Sequence, residues 1–121
     1  MFDHVAFEVA DLARSAAFYD ALLARLGIRR LHEGEAAIAY GRVDARFWIA
    51  ARGRAPGPSF GHVAFEAVGR AAVDAAHASG MASGGSDAGA PGPRPRYGRS
   101  YYAGYLLDPD SYRVEVVSGG H

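Results

Sequence analysis

Two histidines at matching places in a repeated heptapeptide are the residues of this chain best suited to chemistry. Phe2-Asp3-His4-Val5-Ala6-Phe7-Glu8 returns as Phe60-Gly61-His62-Val63-Ala64-Phe65-Glu66, and only Asp3 against Gly61 differs. Neutral imidazole binds divalent transition metals. Two imidazoles from different segments can hold one ion if a carboxylate joins them. Glu8 and Glu66 share the histidines' face but are poor partners for them. Four residues of strand put each about 13 Å from its own histidine, so rim polarity or a salt bridge is expected of both.

The elements that carry these residues follow from pattern. Val and Phe suit a pleated, half-buried surface, so each heptapeptide reads as a strand. Alternation puts Phe2, His4, Ala6 and Glu8 on one face and Asp3, Val5 and Phe7 on the other. A self-match this dense implies two copies of one supersecondary unit. If the copies pack about a pseudo-twofold axis with these strands near it, the two imidazoles approach each other.

In the first unit Asp11 suits a helix N-cap. Leu12, Ser15, Phe18, Tyr19, Leu22, Leu23 and Leu26 follow at helical spacing, and Gly27 suits the left-handed stop. Strands are expected at 29–32, 36–41 and 46–51, and 53–59 reads as a linker rich in Gly and Pro. In the second unit a helix is expected over 70–79 with Gly80 as its stop, followed by a weak strand at 82–85. The stretch 86–100 has no periodicity and reads as a functional or disordered loop. Strands at 101–107 and 113–117 are joined by a turn, Asp108-Pro109-Asp110-Ser111. Unit one thus spans about 1–52 and unit two about 60–118, within a single domain, 1–121.

Composition removes several classes of function. The 121 residues include no Cys, so disulfides, thiolate catalysis and Cys-type zinc sites are excluded. Every basic side chain is Arg, which removes Schiff-base lysine chemistry. A formal net charge of zero argues against nucleic acid as a partner. No apolar run is long enough for a membrane span, and no signal peptide is evident, so a cytoplasmic location is expected.

Tyr97, Tyr101, Tyr102 and Tyr105 cluster with Arg94, Arg96 and Arg99. Alternation puts Tyr101 and Tyr105 on one face and Tyr102 on the other. Such residues suit a pocket for an anionic or aromatic ligand. Trp48, Tyr97 and Tyr101 are the pocket candidates, while His32, His77 and His121 have no partner pattern and read as structural or solvent-facing.

The order strand, helix, three strands, repeated, resembles the vicinal oxygen chelate superfamily, which includes glyoxalase I, extradiol dioxygenases, and fosfomycin and bleomycin resistance proteins. Asp3-His4-Val5, Phe18-Tyr19, Gly61-His62-Val63-Ala64-Phe65, Leu107-Asp108-Pro109-Asp110 and Arg113-Val114-Glu115-Val116 carry the resemblance. It implies an α+β fold in which two βαβββ repeat units form a curved, cup-like mixed sheet with helices outside. It implies a divalent metal ion (Fe, Mn, Zn, Ni or Co) held by His4, His62 and Glu115, with open positions for substrate oxygens. Tyr105 stands ten residues before Glu115, as a catalytic Tyr does in the extradiol dioxygenases. The fourth, glutamate ligand of glyoxalase I has no counterpart in Arg46-Phe47-Trp48-Ile49-Ala50. The function implied is a metal-dependent enzyme acting on a small oxygen-bearing molecule. The alternative is a metal-free protein that sequesters a drug-like or aromatic ligand. A homodimer is expected, with exchange of units between chains left open.

Overall fold

The computed structural model describes residues 1–57 and 60–120. Pro58 and Ser59 of the expected linker, and His121, lie outside the described residues. The element order is β1 (Val5–Val9), α1 (Leu12–Ala24), β2 (Arg29–Glu33), β3 (Ala37–Gly41), β4 (Phe47–Ala51), β5 (His62–Glu66), α2 (Arg70–Ala82), β6 (Ser86–Pro93), β7 (Tyr102–Leu107) and β8 (Arg113–Ser118). The strands form two four-stranded mixed sheets, ordered β1-β4-β3-β2 and β5-β8-β7-β6. In each, the opening strand runs parallel to the last strand of its unit, and the other pairings are antiparallel. This is the βαβββ repeat expected from the duplicated heptapeptide. Both opening strands, β1 and β5, are sheet edges.

Local chemistry accounts for the first unit. Asp11 is extended, and its side chain accepts the Arg14 N–H at 3.0 Å, capping α1. The helix buries Ser15, Ala16, Phe18, Tyr19, Leu22 and Leu23. It ends at Ala24, earlier than its apolar spacing suggests, and Gly27 turns the chain with φ +72°. Val9, Ile38, Tyr40, Phe47 and Ile49 meet it from the first sheet, in a core that continues into the second unit through Phe65, Val73, Leu106, Val114 and Val116.

The second unit departs from expectation in three places. Gly80 does not stop α2, which runs on to Ala82. A Cβ there would lie 2.9 Å from Leu106 Cδ2 and 3.2 Å from both Leu22 Cδ1 and Phe18 Cε1. Gly80 is therefore a point of close approach between the two helices and β7. Residues 82–85 are the helix end and a turn rather than a strand, with Gly84 at φ +108°. Most of the expected loop, in turn, is β6, paired with β7 alone. As an edge strand with two register shifts, β6 tolerates Pro91 and Pro93 without losing a central ladder. Small residues on β6 and β7 also make room for their neighbours. A Cβ on Gly89 would stand 3.2 Å from Tyr105 Cδ2, and one on Gly104 would stand 3.2 Å from Pro91 Cγ. His77 is buried and structural, its Nε2 lying 3.1 Å from Asp87 Oδ1 and 3.2 Å from the Tyr105 carbonyl.

The turn at Asp108–Ser111 forms as expected, closed by the Ser111 N–H on the Asp108 carbonyl at 2.9 Å. It also ties the two units together. Tyr19 of α1 donates its hydroxyl to Asp108 Oδ2 at 2.6 Å, while Asp108 Oδ1 accepts the N–H groups of Asp110 and Tyr112 at 2.8 and 2.9 Å. Asp110 accepts Arg14 Nη2 at 2.7 Å and the Ala10 N–H at 3.1 Å. Tyr112 donates to the Glu8 carbonyl at 2.8 Å and stacks on Phe7 with centroids 4.2 Å apart.

Tyr19→Phe keeps the ring and removes one donor from a buried carboxylate, so urea unfolding is expected to report a loss of about 1–3 kcal/mol. Burial, and then the charge of Asp108, holds the Tyr19 phenol well above the ordinary 10.0. The stability this contributes is complete below pH 10.0 and is lost as pH rises toward the raised value. The difference between wild type and variant should therefore narrow above that pH.

Candidate functional site

The site is built on the open face of the second sheet. The parallel register sets His62 beside Arg113 and Ala64 beside Glu115. The antiparallel register sets Tyr105 against Glu115 from the other side. Glu115 therefore sits in the middle of three strands and is only 2% exposed. Its direct neighbour Ala64 offers just a methyl group, so the ring of His62 can reach the carboxylate from two residues upstream. His62 Nε2 lies 3.0 Å from Glu115 Oε1. Tyr101, just ahead of β7, donates its hydroxyl to Glu115 Oε2 at 2.5 Å. The Tyr105 ring stands edge-on to His62 with centroids 5.9 Å apart.

Electrostatics keep the two phenols protonated. Burial, then the hydrogen bond to Glu115 and its charge, pushes the Tyr101 phenol up from its ordinary value. Burial and the Glu115 charge push Tyr105 the same way. At neutral pH both are O–H donors: Tyr101 orients the carboxylate, and the Tyr105 ring stands beside His62.

His62 and Glu115 suit a metal ion. Two neighbouring ligands with bonds of about 2.1 Å at right angles lie about 3 Å apart, which the 3.0 Å gap from Nε2 to Oε1 matches. The outer carboxylate oxygen is held by Tyr101, the kind of support that aims a ligating carboxylate. The third expected ligand is elsewhere. His4 lies one residue ahead of β1, half-exposed, with Nδ1 2.8 Å from Asp3 Oδ1. Arg46 donates to the carbonyls of Phe2 and Asp3 and so holds this segment against the first sheet. Among the described residues of one chain, no three His, Cys, Asp or Glu side chains converge on a point where an ion could sit.

The other candidates divide in the same way. Tyr97 and Tyr101 belong with His62, their rings 5.4 Å apart. Trp48 is on the first sheet beside Ala6, with its ring 5.3 Å from that of His32. Glu8 pairs with Arg54 in two contacts of 2.5 and 2.9 Å, the salt bridge expected of it. Two features were missed from sequence. Arg113 faces the site, and strand alternation with Glu115 was the signal for it. A cavity of about 390 Å³ opens between the units, lined by Val5, Ile28, Tyr40, Phe47, Val63 and Phe65 among others. No local pattern announces that cavity, because its walls come from both halves. No helix among the described residues is long and apolar enough to cross a membrane.

A sequence model of the Glyoxalase/Bleomycin resistance protein/Dioxygenase superfamily matches residues 1–116. No curated protein matches the chain. Among solved structures, a glyoxalase/bleomycin resistance protein from Albidiferax ferrireducens T118 is 33% identical, with a TM-score of 0.84 and 98% of each chain covered. The fosfomycin resistance protein FosX from Mesorhizobium loti, 20% identical, shares the fold at a TM-score of 0.72 over 98% of this chain and 92% of that one. A glyoxalase I mutant from Zea mays, 22% identical, does so at 0.74 over 95% of this chain and 45% of that one.

Removing the Tyr101 hydroxyl leaves one oxygen of a buried carboxylate without its donor. Tyr101→Phe is expected to cost about 1–2 kcal/mol in urea unfolding. Tyr97→Phe, at an exposed ring, should stay within about 0.5 kcal/mol of wild type.

Proposed function

The chain belongs to the Glyoxalase/Bleomycin resistance protein/Dioxygenase superfamily, and within it we propose a metal-dependent enzyme acting on a small oxygen-bearing molecule. The observation that carries this reading is the 3.0 Å approach of His62 Nε2 to the buried Glu115 Oε1. These two side chains would hold a divalent ion from Fe, Mn, Zn, Ni or Co, with His4 as the third ligand. The bound ion supplies Lewis acidity to a substrate oxygen. Around it, Tyr101 would keep Glu115 aimed, and Tyr105, whose ring is edge-on to His62, would serve as proton donor. Strict glyoxalase I chemistry is not part of the proposal, because residues 46–50 carry no carboxylate.

His4 does not reach the other two within one chain, so the reading requires a homodimer in which His4 of a second copy completes the set. Two features support this. β1 and β5 are both edge strands, each paired on one side only, and exposed Phe2 and Phe60 flank them at equivalent places in the repeat. The same docking would carry Trp48 of the second copy to the site. A cytoplasmic location belongs to the same reading. One observation favours the metal-free sequestering alternative: both oxygens of Glu115 already have partners within the chain.

Metal analysis of untagged protein should find near one equivalent per chain, lost in Glu115→Gln, in His62→Ala and in His4→Ala. If sites are shared across a twofold dimer, refolding His4→Ala and His62→Ala chains together restores about a quarter of the wild-type metal, since each mixed dimer holds one intact site of its two. A protein that takes up no Fe(II), Mn(II) or Zn(II) would sink the enzyme reading in favour of sequestration.

A further inference from the structure

His62 shares with Phe60, Arg94, Arg96, Tyr97, Tyr105 and Arg113 the lining of a cavity of about 410 Å³. We propose that this cavity is an oxyanion subsite, which takes the carboxylate, phosphate or phosphonate group of a small organic acid. The proposal deepens the reading above by naming a substrate class, and it rests on that reading only in treating the anion as part of a substrate.

Charge is the first argument. Three guanidinium groups share one pocket in a chain whose formal net charge is zero. Among the described residues no carboxylate neutralises any of the three: the arginine ion pairs there are those of Arg14, Arg30, Arg46 and Arg54. Aromatic rings hold the cationic heads instead. The guanidinium carbons of Arg94 and Arg113 stand 5.5 and 5.2 Å from the centre of the Tyr105 ring, and that of Arg96 stands 5.7 Å from the centre of Tyr97. Contact with a ring face leaves the guanidinium edges of Arg96 and Arg113 available to donate, and those edges match an oxyanion in geometry as well as in sign.

Satisfaction is the second argument, independent of the first. Arg94 spends Nη2 on the carbonyls of Ala90 and Ala103, at 2.8 and 3.4 Å, which fixes its head. Its Nε is buried and has no hydrogen-bond partner, the single such side-chain atom among the described residues. A buried donor left unmade is costly, so the fixed position of Arg94 calls for a compensating role for its guanidinium. The backbone is built to hold this arrangement. The strap from Arg94 to Tyr101 is closed by the Arg94 N–H on the Tyr101 carbonyl at 2.8 Å and by three turn hydrogen bonds inside it, from the N–H groups of Tyr97, Gly98 and Tyr101. Phe60, fully exposed, is an apolar surface for the carbon skeleton of an acid whose charged end is among the arginines.

The test uses inorganic phosphate and, in parallel, acetate as probes, titrated calorimetrically into metal-free protein. Phosphate should bind, and affinity should fall about tenfold in Arg113→Gln and in Arg96→Gln and also fall as salt is raised. Arg29→Gln, at an exposed arginine on β2, should match wild type. Tighter binding of acetate than of phosphate supports the subsite and assigns it to a carboxylate. No heat with either probe, or equal affinity in wild type and Arg113→Gln, overturns it. Mn(II) binding measured on the same variants keeps the two ideas apart. Phosphate binding without Mn(II) uptake defeats the metal reading alone, while Mn(II) uptake without phosphate or acetate binding defeats the subsite alone.

Discussion

One buried carboxylate holds the molecule in register. Asp108 is almost fully removed from water, yet it takes three donors: the Tyr19 hydroxyl from the first unit and two N–H groups of its own turn. Burial raises its pKa, and those three hydrogen bonds work against the rise. The group is thus tolerable only while its partners stay in place. Two consequences follow. The helix of the first unit is anchored to the last hairpin of the second. The turn also sets where β8 begins relative to the end of β7, and hence which β7 residue faces Glu115. A slip by one residue would send Glu115 to the other face of the sheet.

The site that results is asymmetric in charge. Its single acid is deep in the sheet and fully partnered, while its arginines stand at the surface with ring faces and carbonyls for company. The first sheet contributes the apolar side of the inter-unit cavity and keeps Trp48 and His4 on a separate face. The duplication has produced two similar sheets with different tasks: only the second carries an acid on its closing strand beside the imidazole of its opening strand.

Much of this was legible in the residues. The repeated heptapeptide announced two like units, Asp11 and Gly27 marked both ends of the first helix turn by turn, and the closing Asp108-Pro109 marked a turn. Such signals are local, since the residue that caps or turns the chain is the residue one reads. What escaped was decided by neighbours distant in sequence. Gly80 looks like a helix stop and serves instead as a gap for Phe18, Leu22 and Leu106. The strand β6 has no alternation because its side chains are nearly absent, and what makes it a strand is the ladder with β7. The pairing of His62 with Glu115 could be anticipated from the resemblance. The separation of His4 from them could not, since it depends on which sheet each opening strand joins.

The spareness of β6 shapes how the rim of the site moves. Ser-Asp-Ala-Gly-Ala-Pro-Gly-Pro hangs on one neighbour, buries little apolar surface and breaks its ladder twice. A segment of that kind breathes at low free energy compared with the central strands. The strap bearing Arg94, Arg96 and Tyr97 grows directly from it, whereas Arg113 stands on β8, paired on both sides. Rigid floor and pliant rim are thereby set against each other across a single pocket, so whatever bridges them trades the freedom of β6 for contact.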